Sequence, residues 1–477
     1  MTTRPASARL NARSSATPGA SVDGSFAKSA ASSAADSTGY LNWIIAAMIV
    51  LGAVDVLLSG RDLSSLFREL ASGAGSGSRH PITPWLQRLV SVLLMVAVAE
   101  RIANHFKRHR RVPSPMLLAA YLVYWFCTVA ATALLSAHPQ ISHEYLYTIA
   151  IGSAVLLATV AERDRILETA RDALVAVLAV SVLLVPLNPS LVMDSSYTQG
   201  LIPGLPRLGG LAPHPVALGM FAQICLLLLL HRPYRSCLLT ATCWVLGLGV
   251  LFMAQSKTAW IAFVLCTLCV LMVRNGAGFW RRMGDPREGA FGIAVCAGIF
   301  ILVALIGALF ITGQVSSLAD SFLDTSQGAQ IMSMTGRDRI WEVAMEEWRS
   351  NPVFGYGPLL WDDAFRASIN MPNATNAHNQ FMDTLARSGS VGAFGLVFYA
   401  AVLLVLSIRY APDTGGLSLA LFIALALRSM TEVPLLLLGY GYELFSHLLL
   451  LVTVAAAAGA RKPRSVPQPS PLYRAAI

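Results

Sequence analysis

The sequence predicts an all-α integral membrane protein: a polytopic transmembrane helical bundle of about 12 spans with one large polar loop. Three observations predict this fold. Of the 477 residues, 55% are hydrophobic and 13% are charged, whereas soluble domains are nearer a quarter charged. Apolar runs long enough to cross a bilayer core recur from about residue 40 to residue 459. Lysine and arginine are concentrated in some of the connections between these runs.

The apolar runs give the order of the elements. Residues 1–39 are rich in Ala, Ser and Thr and predict a disordered cytoplasmic tail, and the Pro- and Arg-rich residues 460–477 predict another. Spans 1–9 are expected within 40–312, a large periplasmic loop with short amphipathic helices over 313–388, and spans 10–12 within 389–459. The predicted spans are 40–59, 85–101, 115–136, 145–161, 173–188, 214–231, 236–254, 258–273, 290–312, 389–408, 416–433 and 440–459.

The distribution of basic residues predicts the orientation. The connections 101–114, 231–236 and 274–289 and the C-terminal tail are each rich in lysine and arginine, whereas the short connections on the other side hold few. With twelve spans, these segments share one side with both termini, and the positive-inside rule makes that side cytoplasmic. The large loop then faces the periplasm. Because this asymmetry accounts for the net charge of +9, we predict no nucleic-acid partner.

No metal site is predicted. The seven cysteines lie inside or at the ends of apolar runs, which is typical of small hydrophobic residues in a bundle. Cys266 and Cys269 have no second pair close in sequence. Asp362 and Asp363 are adjacent, so they do not face each other on a helix, and no further acidic or histidine cluster supports them.

Two outward connections each hold a candidate anion-binding cation. Arg207 is the only basic residue of the 189–213 connection, and glycines on both sides of it allow close approach of backbone to a ligand. Lys257 opens an apolar helix after the short Gln255–Ser256 turn, where a cation needs a partner or a path to water. The alternative for both residues is snorkelling to lipid headgroups.

The large loop predicts an amphipathic helix. Thr335 is a candidate N-cap, and the helix should end at Ser350, before Asn351-Pro352. Its apolar positions are spaced three and four apart, which suits a helix at the membrane surface or on the bundle. Arg337 and Arg339 oppose the helix dipole in its first turn, so a nearby anion would relieve the conflict. Solvent or headgroup contact is the alternative.

His378 is the candidate general base. A second short helix is expected from about Asn376 to Gly389, with His378 in its first turn. Imidazole exchanges a proton near neutral pH, although a loop histidine considered alone is more often structural. Arg428 and Glu432, four apart in the eleventh span, can pair on one face. Ionisable groups within a span are also functional candidates, so the roles of these two residues and of Glu443 stay open.

The order of these motifs resembles the superfamily of O-antigen ligases and Wzy-type polysaccharide polymerases. The resemblance rests on Arg207 with its glycines and His214-Pro215, on Ser256-Lys257, and on the loop. The family more often has Arg where this chain has Lys257, and lysine lacks the bidentate fork. The loop motifs, in order, are Gly336-Arg337, Trp341, Asn351-Pro352, Gly355-Tyr356-Gly357, Ala377-His378-Asn379 and Gly389-Ser390-Val391-Gly392.

The resemblance implies a glycosyltransferase of the bacterial inner membrane. Its donor is a glycan on undecaprenyl diphosphate, and its acceptor is a hydroxyl of another glycan or of lipid A core. Arg207, Lys257, Arg337 and Arg339 would stabilise the departing diphosphate, and His378 would take the hydroxyl proton. The activated carrier supplies the free energy, so the resemblance implies no cofactor and no metal.

Three functions follow as alternatives. We predict a polymerase of exopolysaccharide or O-antigen repeats first, because the loop is of modest length. An O-antigen ligase to lipid A core, or a protein O-oligosaccharyltransferase, is the alternative within the same chemistry. A transporter or flippase is the alternative of another class. Transporters often carry two repeated halves with charged groups near the membrane midplane, whereas here the polar residues gather on one face.

Overall fold

A computed structural model describes residues 40–65, 80–107, 111–196, 204–283, 337–372, 374–439 and 441–461. The two predicted tails, apart from Ala460 and Arg461, lie outside these residues. So do the ninth predicted span at 290–312 and the part of the large loop that contains Thr335 and Gly336.

The described chain is almost entirely helical, as predicted. Six of its helices are long and apolar enough to cross a membrane, by length and composition. They are α1 (Leu41–Ser59), α2 (Thr83–Lys107), α3 (Pro115–Leu135), α5 (Val160–Leu187), the first part of α9 (Lys257–Gly276) and α12 (Gln380–Arg409). As secondary structure, α1 begins one residue earlier at Tyr40 and α9 continues to Met283.

The remaining helices are shorter. Five of them are apolar: α4 (Glu144–Leu156), α7 (Pro215–His231), α8 (Cys237–Met253), α13 (Leu417–Ser429) and α14 (Phe445–Ala460). The others are α6 (Pro189–Val192), α10 (Arg337–Ser350), α11 (Asp363–Ser368) and a 3₁₀ turn, Pro412–Thr414. The strands β1 (Met193–Asp194) and β2 (Arg207–Leu208) form one antiparallel pair. The coarse prediction of a multi-pass helical membrane protein is confirmed; the count of twelve spans stays a prediction.

Two helices differ from the predicted boundaries. α5 begins at Val160, not near residue 173, because Thr159 and Glu162 form a capping box. α12 begins at Gln380, so one helix runs through the expected boundary at 389. Its backbone departs from helical geometry at Gly389, where φ is 64° and ψ is −164°. A side chain would be strained at that φ, so glycine permits the kink.

α14 lies at the centre of the bundle. Its residues are buried from Phe445 to Ala457, and it packs against α4, α5 and α13. A helix that is apolar on all sides is stable only when it is surrounded. In contrast, Leu89, Val92 and Val96 of α2 are each more than half exposed. An exposed apolar face of this extent suits contact with lipid chains.

Arginines organise the end of the bundle opposite to the candidate site. Arg101 forms a bidentate ion pair with Glu162. Arg274 donates to the carbonyl oxygens of Leu230 and Gly415, and Arg461 pairs with Asp413. These side chains therefore stabilise helix ends and turns, and each is occupied by protein groups.

Candidate functional site

The Arg207 loop, defined as residues 204–215, contains β2 and leads into α7. Register pairs Arg207 with Asp194 of β1, and the Arg207 side chain is 8% exposed. Its Nε donates to the carbonyl oxygen of Ala254, at 2.8 Å. The candidate cation therefore has a fixed position instead of reaching freely into solvent, which argues against simple snorkelling.

Arg61 fixes this loop through hydrogen bonds, and the sequence did not identify it as a residue of the site. Its guanidinium donates to the carbonyl oxygens of Gly210, Ala212 and Pro213 at 3.1, 2.8 and 2.7 Å. A fourth contact reaches the Leu191 carbonyl oxygen at 3.4 Å. Burial lowers the pKa of Arg61 to about 10, opposed by the charge of Asp55, and the group remains a cation at neutral pH. A basic residue directly after the first span was the available signal.

The Gln255–Ser256 turn packs against the Arg207 loop. Gln255 has a left-handed backbone, with φ of 48°, and its Nε2 donates to the Leu205 carbonyl oxygen at 3.1 Å. Ser256 is buried and caps the first turn of α9 through Ala259 N–H. Lys257 follows at the start of α9 and is exposed. Two of the three predicted segments thus lie together, with a buried, hydrogen-bonded arginine and an exposed lysine.

The His378 turn, defined as residues 376–379, precedes α12. Asn379 is the N-cap and accepts from the N–H groups of Phe381 and Met382. His378 therefore lies before the helix, not in its first turn as predicted, because the asparagine side chain sets the start of the helix. The His378 backbone is left-handed, with φ of 46°, and its N–H donates to Asn376 Oδ1 at 2.7 Å.

Buried polar contacts fix this turn from both sides. Asp383 is fully buried, and its Oδ1 accepts from Ala377 N–H at 3.2 Å and from Trp361 Nε1 at 2.9 Å. Trp341 donates from Nε1 to the Ala377 carbonyl oxygen at 2.9 Å. Asp383 Oδ2 pairs with Arg387 at 3.1 Å. The amide groups on either side of the Ala377 α-carbon are thus hydrogen-bonded, which fixes the backbone leading to His378.

Glycines allow the rest of the loop to dock on the kink of α12. The N–H groups of Tyr356 and Gly357 donate to the carbonyl oxygens of Ala386 and Arg387, and Ser390 N–H donates to that of Pro352. A Cβ on Gly355 would lie 2.6 Å from the Arg387 backbone, and one on Gly389 would lie 2.3 Å from the Val353 carbonyl oxygen. The glycine motifs of the loop therefore serve backbone packing.

α10 is amphipathic, as its sequence predicts. Ile340 and Ala344 are buried against α12, whereas Arg339 is exposed and Arg337 is half-buried. Neither arginine forms an ion pair with another described residue. These two candidate cations belong to the same packed unit as the His378 turn, but the described contacts do not fix them as they fix Arg207.

Glu432 pairs with His378, and of the two alternatives for Glu432 the ion pair with Arg428 is not formed. α13 ends at Ser429, so Glu432 lies in the following turn, with its Oε2 3.4 Å from His378 Nδ1. Leu435 N–H donates to Gln380 Oε1 at 2.8 Å and joins the two segments. Burial raises the pKa of Glu432, but the hydrogen bond and charge of His378 and the charge of Arg428 outweigh it and hold this pKa below its ordinary value.

His214 lies at the end of the Arg207 loop, within electrostatic reach of His378. It is the N-cap of α7, and its Nδ1 accepts from Val216 N–H at 3.1 Å. Burial lowers the pKa of His214 to about 4, and the charges of Arg207, His378 and Arg61 act in the same direction, against Glu432. His214 therefore stays neutral at pH 7. Arg207 and His378 both lie within electrostatic reach of this one imidazole, and these three residues are called the cluster below.

A cleft opens beside this cluster, with an empty volume of about 410 Å³ including its open mouth. Val216, next but one to His214, and Thr431, next to Glu432, both line it. Arg428 also lines it, and its Nη1 lies 3.5 Å from the Glu443 carbonyl oxygen. Among the described residues, no group of three or more His, Cys, Asp or Glu side chains is arranged to hold a metal ion.

The fold and the site define a multi-pass membrane protein with a cationic and histidine cluster at one end of its bundle. The family model described as O-Antigen ligase matches residues 242–397. This segment carries Lys257, Arg337, Arg339 and His378, and the predicted resemblance to the O-antigen ligase and Wzy-type superfamily is confirmed. Arg207 lies outside the matched segment. No curated protein matches the chain.

Proposed function

We propose that this protein transfers a glycan from an undecaprenyl-diphosphate carrier to an acceptor hydroxyl at the periplasmic face of the bacterial inner membrane. One observation carries the proposal: His378, paired with Glu432, is gathered with Arg207 around His214. The match to the O-antigen ligase family supports the same class of reaction. The cluster lies at the end of the bundle opposite to Arg101, Arg274 and Arg461, which the positive-inside rule assigns to the cytoplasm.

His378 acts as the general base. Its Nδ1 donates to the ionised Glu432 carboxylate, so Nε2 is left as the proton acceptor. The acceptor hydroxyl gives its proton to Nε2 while its oxygen attacks the anomeric carbon. The bond from that carbon to the diphosphate oxygen breaks, and the diphosphate leaves with the electron pair. Direct attack inverts the anomeric centre, and the base contributes about 10²–10⁴-fold to the rate.

Arg207 stabilises the charge that develops on the diphosphate. A buried and fixed cation stabilises a developing anion more strongly than a solvated one, and Arg207 is both buried and hydrogen-bonded. Lys257 is exposed at the start of α9, and Arg337 and Arg339 extend from α10. These three cations bind the diphosphate after it enters the site, with smaller individual contributions than that of Arg207.

We infer polymerisation of exopolysaccharide or O-antigen repeats as the first candidate reaction. In the described part of the large loop, α10 packs onto α12 and α11 contributes Phe365 to the same apolar cluster, without forming a separate acceptor-binding unit. The family description favours the second candidate, ligation of a finished glycan to lipid A core. The two reactions share the donor and the base and differ in the acceptor.

The test is His378→Ala in a strain that lacks the chromosomal gene. We expect glycan transfer to fall about 10²–10⁴-fold, while binding of undecaprenyl diphosphate by the purified protein is unchanged. His143→Ala is the matched control, because His143 is exposed at the same end of the bundle, directly before α4. Wild-type transfer by His378→Ala would refute the assignment. Accumulating single repeats would identify a polymerase, and long carrier-linked chains a ligase.

A further inference from the structure

The segment that carries Glu432 is not helical in its described part. It comprises residues 430–444 between α13 and α14 and is called the Glu432 segment. Its described residues form turns and irregular backbone, and Val433, Leu435 and Leu437 are each at most 5% exposed. Irregular backbone inside a bundle needs protein partners for its polar groups, because lipid chains offer no hydrogen bonds. The partners of this backbone therefore decide where Glu432 lies.

Side chains of three other helices supply those partners. Tyr124 of α3 donates from its hydroxyl to the Leu435 carbonyl oxygen at 2.8 Å. Gln380 of α12 accepts from Leu435 N–H at 2.8 Å, so both backbone polar groups of this one residue are bound by side chains. Thr148 of α4 donates from Oγ1 to the Leu437 carbonyl oxygen at 2.8 Å. The Glu432 segment is thus attached to α3, α4 and α12 through side chains.

Glu432 lies between two fixed points of this backbone. Its own N–H donates to the Arg428 carbonyl oxygen at 2.8 Å, which fixes it to the end of α13. Leu435, three residues further on, is held through both of its backbone polar groups. Pro434 stands between them, with a φ that its ring restricts. A displacement of Leu435 is therefore passed on to the Glu432 carboxylate and to its 3.4 Å contact with His378 Nδ1.

The two side chains that hold Leu435 are themselves fixed. Gln380 follows His378 by two residues and is 3% exposed. Its Nε2 donates to Thr384 Oγ1 at 3.0 Å, which directs its Oε1 away from that residue. The ring of Tyr124 is buried and stacks on Tyr399, with centroids 4.8 Å and planes 4° apart. The bundle therefore sets the position of both polar groups that Leu435 contacts.

We propose that Tyr124 and Gln380 are positioning residues for the general base, an inference that rests on the proposed function. By holding Leu435, they keep the Glu432 carboxylate on His378 Nδ1, so that the imidazole presents Nε2 to the acceptor hydroxyl. Both side chains act through Glu432, and neither needs to contact the substrate. A misplacement of about 1 Å that originates far from the chemistry can lower a rate about 10²-fold, so a small shift of the Glu432 segment has a large effect.

The first test removes one hydroxyl. Tyr124→Phe keeps the ring on Tyr399 and leaves the Leu435 carbonyl oxygen without its donor. We expect kcat for glycan transfer to fall about 10–10²-fold, with KM for the carrier-linked donor unchanged. Tyr121→Phe is the matched control, because Tyr121 is as fully buried and also packs on Tyr399, but its hydroxyl donates to a carbonyl oxygen of α4. The control should keep the wild-type kcat. A wild-type kcat in Tyr124→Phe would overturn the inference.

A double-mutant cycle separates positioning from general stability. Gln380→Met removes the acceptor for Leu435 N–H at nearly constant volume, and its kcat should fall as that of Tyr124→Phe does. Glu432→Ala removes the carboxylate through which both side chains act. In that background neither substitution should lower kcat further, because substitutions that break one shared contact are not additive. Losses that multiply would show that Tyr124 and Gln380 only stabilise the fold, and would overturn the inference.

Hydrogen exchange follows the Glu432 segment without a measure of activity. In lipid nanodiscs, Tyr124→Phe should speed amide exchange within 430–439, and Tyr121→Phe should not. Unchanged exchange in Tyr124→Phe would overturn the inference. If Tyr124→Phe transfers glycan normally while His378→Ala abolishes transfer, the inference fails and the proposed function stands. If exchange rises as expected but the wild type transfers no glycan, the hold on the segment stands and the proposed function fails.

Discussion

The Arg207 loop and the His378 turn, which meet at His214, are held in place by different means. The Arg207 loop is held by a guanidinium on neutral carbonyl oxygens, supplied by Arg61 about 150 residues away along the chain. The His378 turn is held by a carboxylate and an arginine four residues apart on α12. The first depends on a long-range contact and the second on a local pair. The site therefore combines two loops whose stabilities respond to different substitutions.

Of the substitutions that test this comparison, Asp383→Asn should reduce the stability of the folded protein the most. The substitution removes the charge that pairs with Arg387, and Arg387 is only 5% exposed. Breaking a buried pair by removing one partner costs about 3–5 kcal/mol. Since Asp383 also accepts from Ala377 N–H, glycan transfer should fall with stability. Thermal unfolding in detergent measures the first effect, and transfer in membranes measures the second.

Asp363→Asn is the matched control for this prediction. Asp363 also pairs with an arginine, Arg366, but its side chain is 88% exposed, and exposed pairs contribute about 0–1 kcal/mol. We expect this control to keep both its melting temperature and its activity. The double variant Asp383→Asn/Arg387→Gln should recover part of the lost stability, because no unpaired charge is then buried. An Asp383→Asn protein as stable as the wild type would show that the buried pair does not hold the turn.

Arg61→Lys should cause the second-largest loss of stability. Lysine keeps the charge but replaces the planar fork with one ammonium, so it cannot reach the carbonyl oxygens of Gly210, Ala212 and Pro213 together. We expect a loss of about 2–4 kcal/mol, based on about 1.5–3 kcal/mol for each charged hydrogen bond. Limited proteolysis should then cut within 204–215, and glycan transfer should fall.

The control for Arg61→Lys is Arg409→Lys at the exposed end of α12, which should change neither proteolysis nor transfer. The two substitutions should also differ in which loop becomes accessible to protease. Arg61→Lys should expose the Arg207 loop and leave the His378 turn protected, and Asp383→Asn should do the reverse. If either variant exposes both loops equally, the loops form one cooperative unit and their contrasting anchors do not act separately.

The same contrast explains how much the sequence alone could predict. The spans follow from apolar runs, and α10 follows from its three-and-four spacing, because these are local patterns. His378 and Arg207 were identified through motifs in sequence order. Helical spacing offered Arg428 as one possible partner of Glu432, but α13 ends before Glu432, so that spacing does not apply. Arg61 offered one local signal, a basic residue directly after the first span, but its role depends on carbonyl oxygens that only the folded bundle brings to it.

The glycines of the loop show that a residue in a family motif can have a structural role. The Gly355-Tyr356-Gly357 motif carries part of the family resemblance, but Gly355 faces the Arg387 backbone, and a Cβ on Gly357 would lie 2.5 Å from the His138 carbonyl oxygen. These glycines are required for backbone packing, which fixes the kinked helix from which the His378 turn extends. A pattern can therefore mark a functional loop while its individual residues act on structure.

The smallest predicted effect concerns pH and tests His214, where the two loops meet. The pKa of His214 is about 4 in the folded protein and about 6.5 in an unfolded chain. Between these values the unfolded chain binds a proton that the folded protein does not, so stability falls as the pH is lowered from 6.5 towards 4. Allowing for partial exposure of the ring, the contribution is about 1–2 kcal/mol.

His214→Asn isolates this contribution, because asparagine is a good N-cap that accepts from Val216 N–H without titrating. Other groups titrate in the same window, so the informative quantity is the difference in melting temperature between the variant and the wild type. We expect the wild type to lose more stability than His214→Asn on going from pH 7 to pH 4.5, by a few degrees. Parallel melting curves would mean that His214 takes up its proton near pH 6.5 even when folded. That outcome would contradict the burial of His214 at the start of α7, which is the largest cause of its lowered pKa.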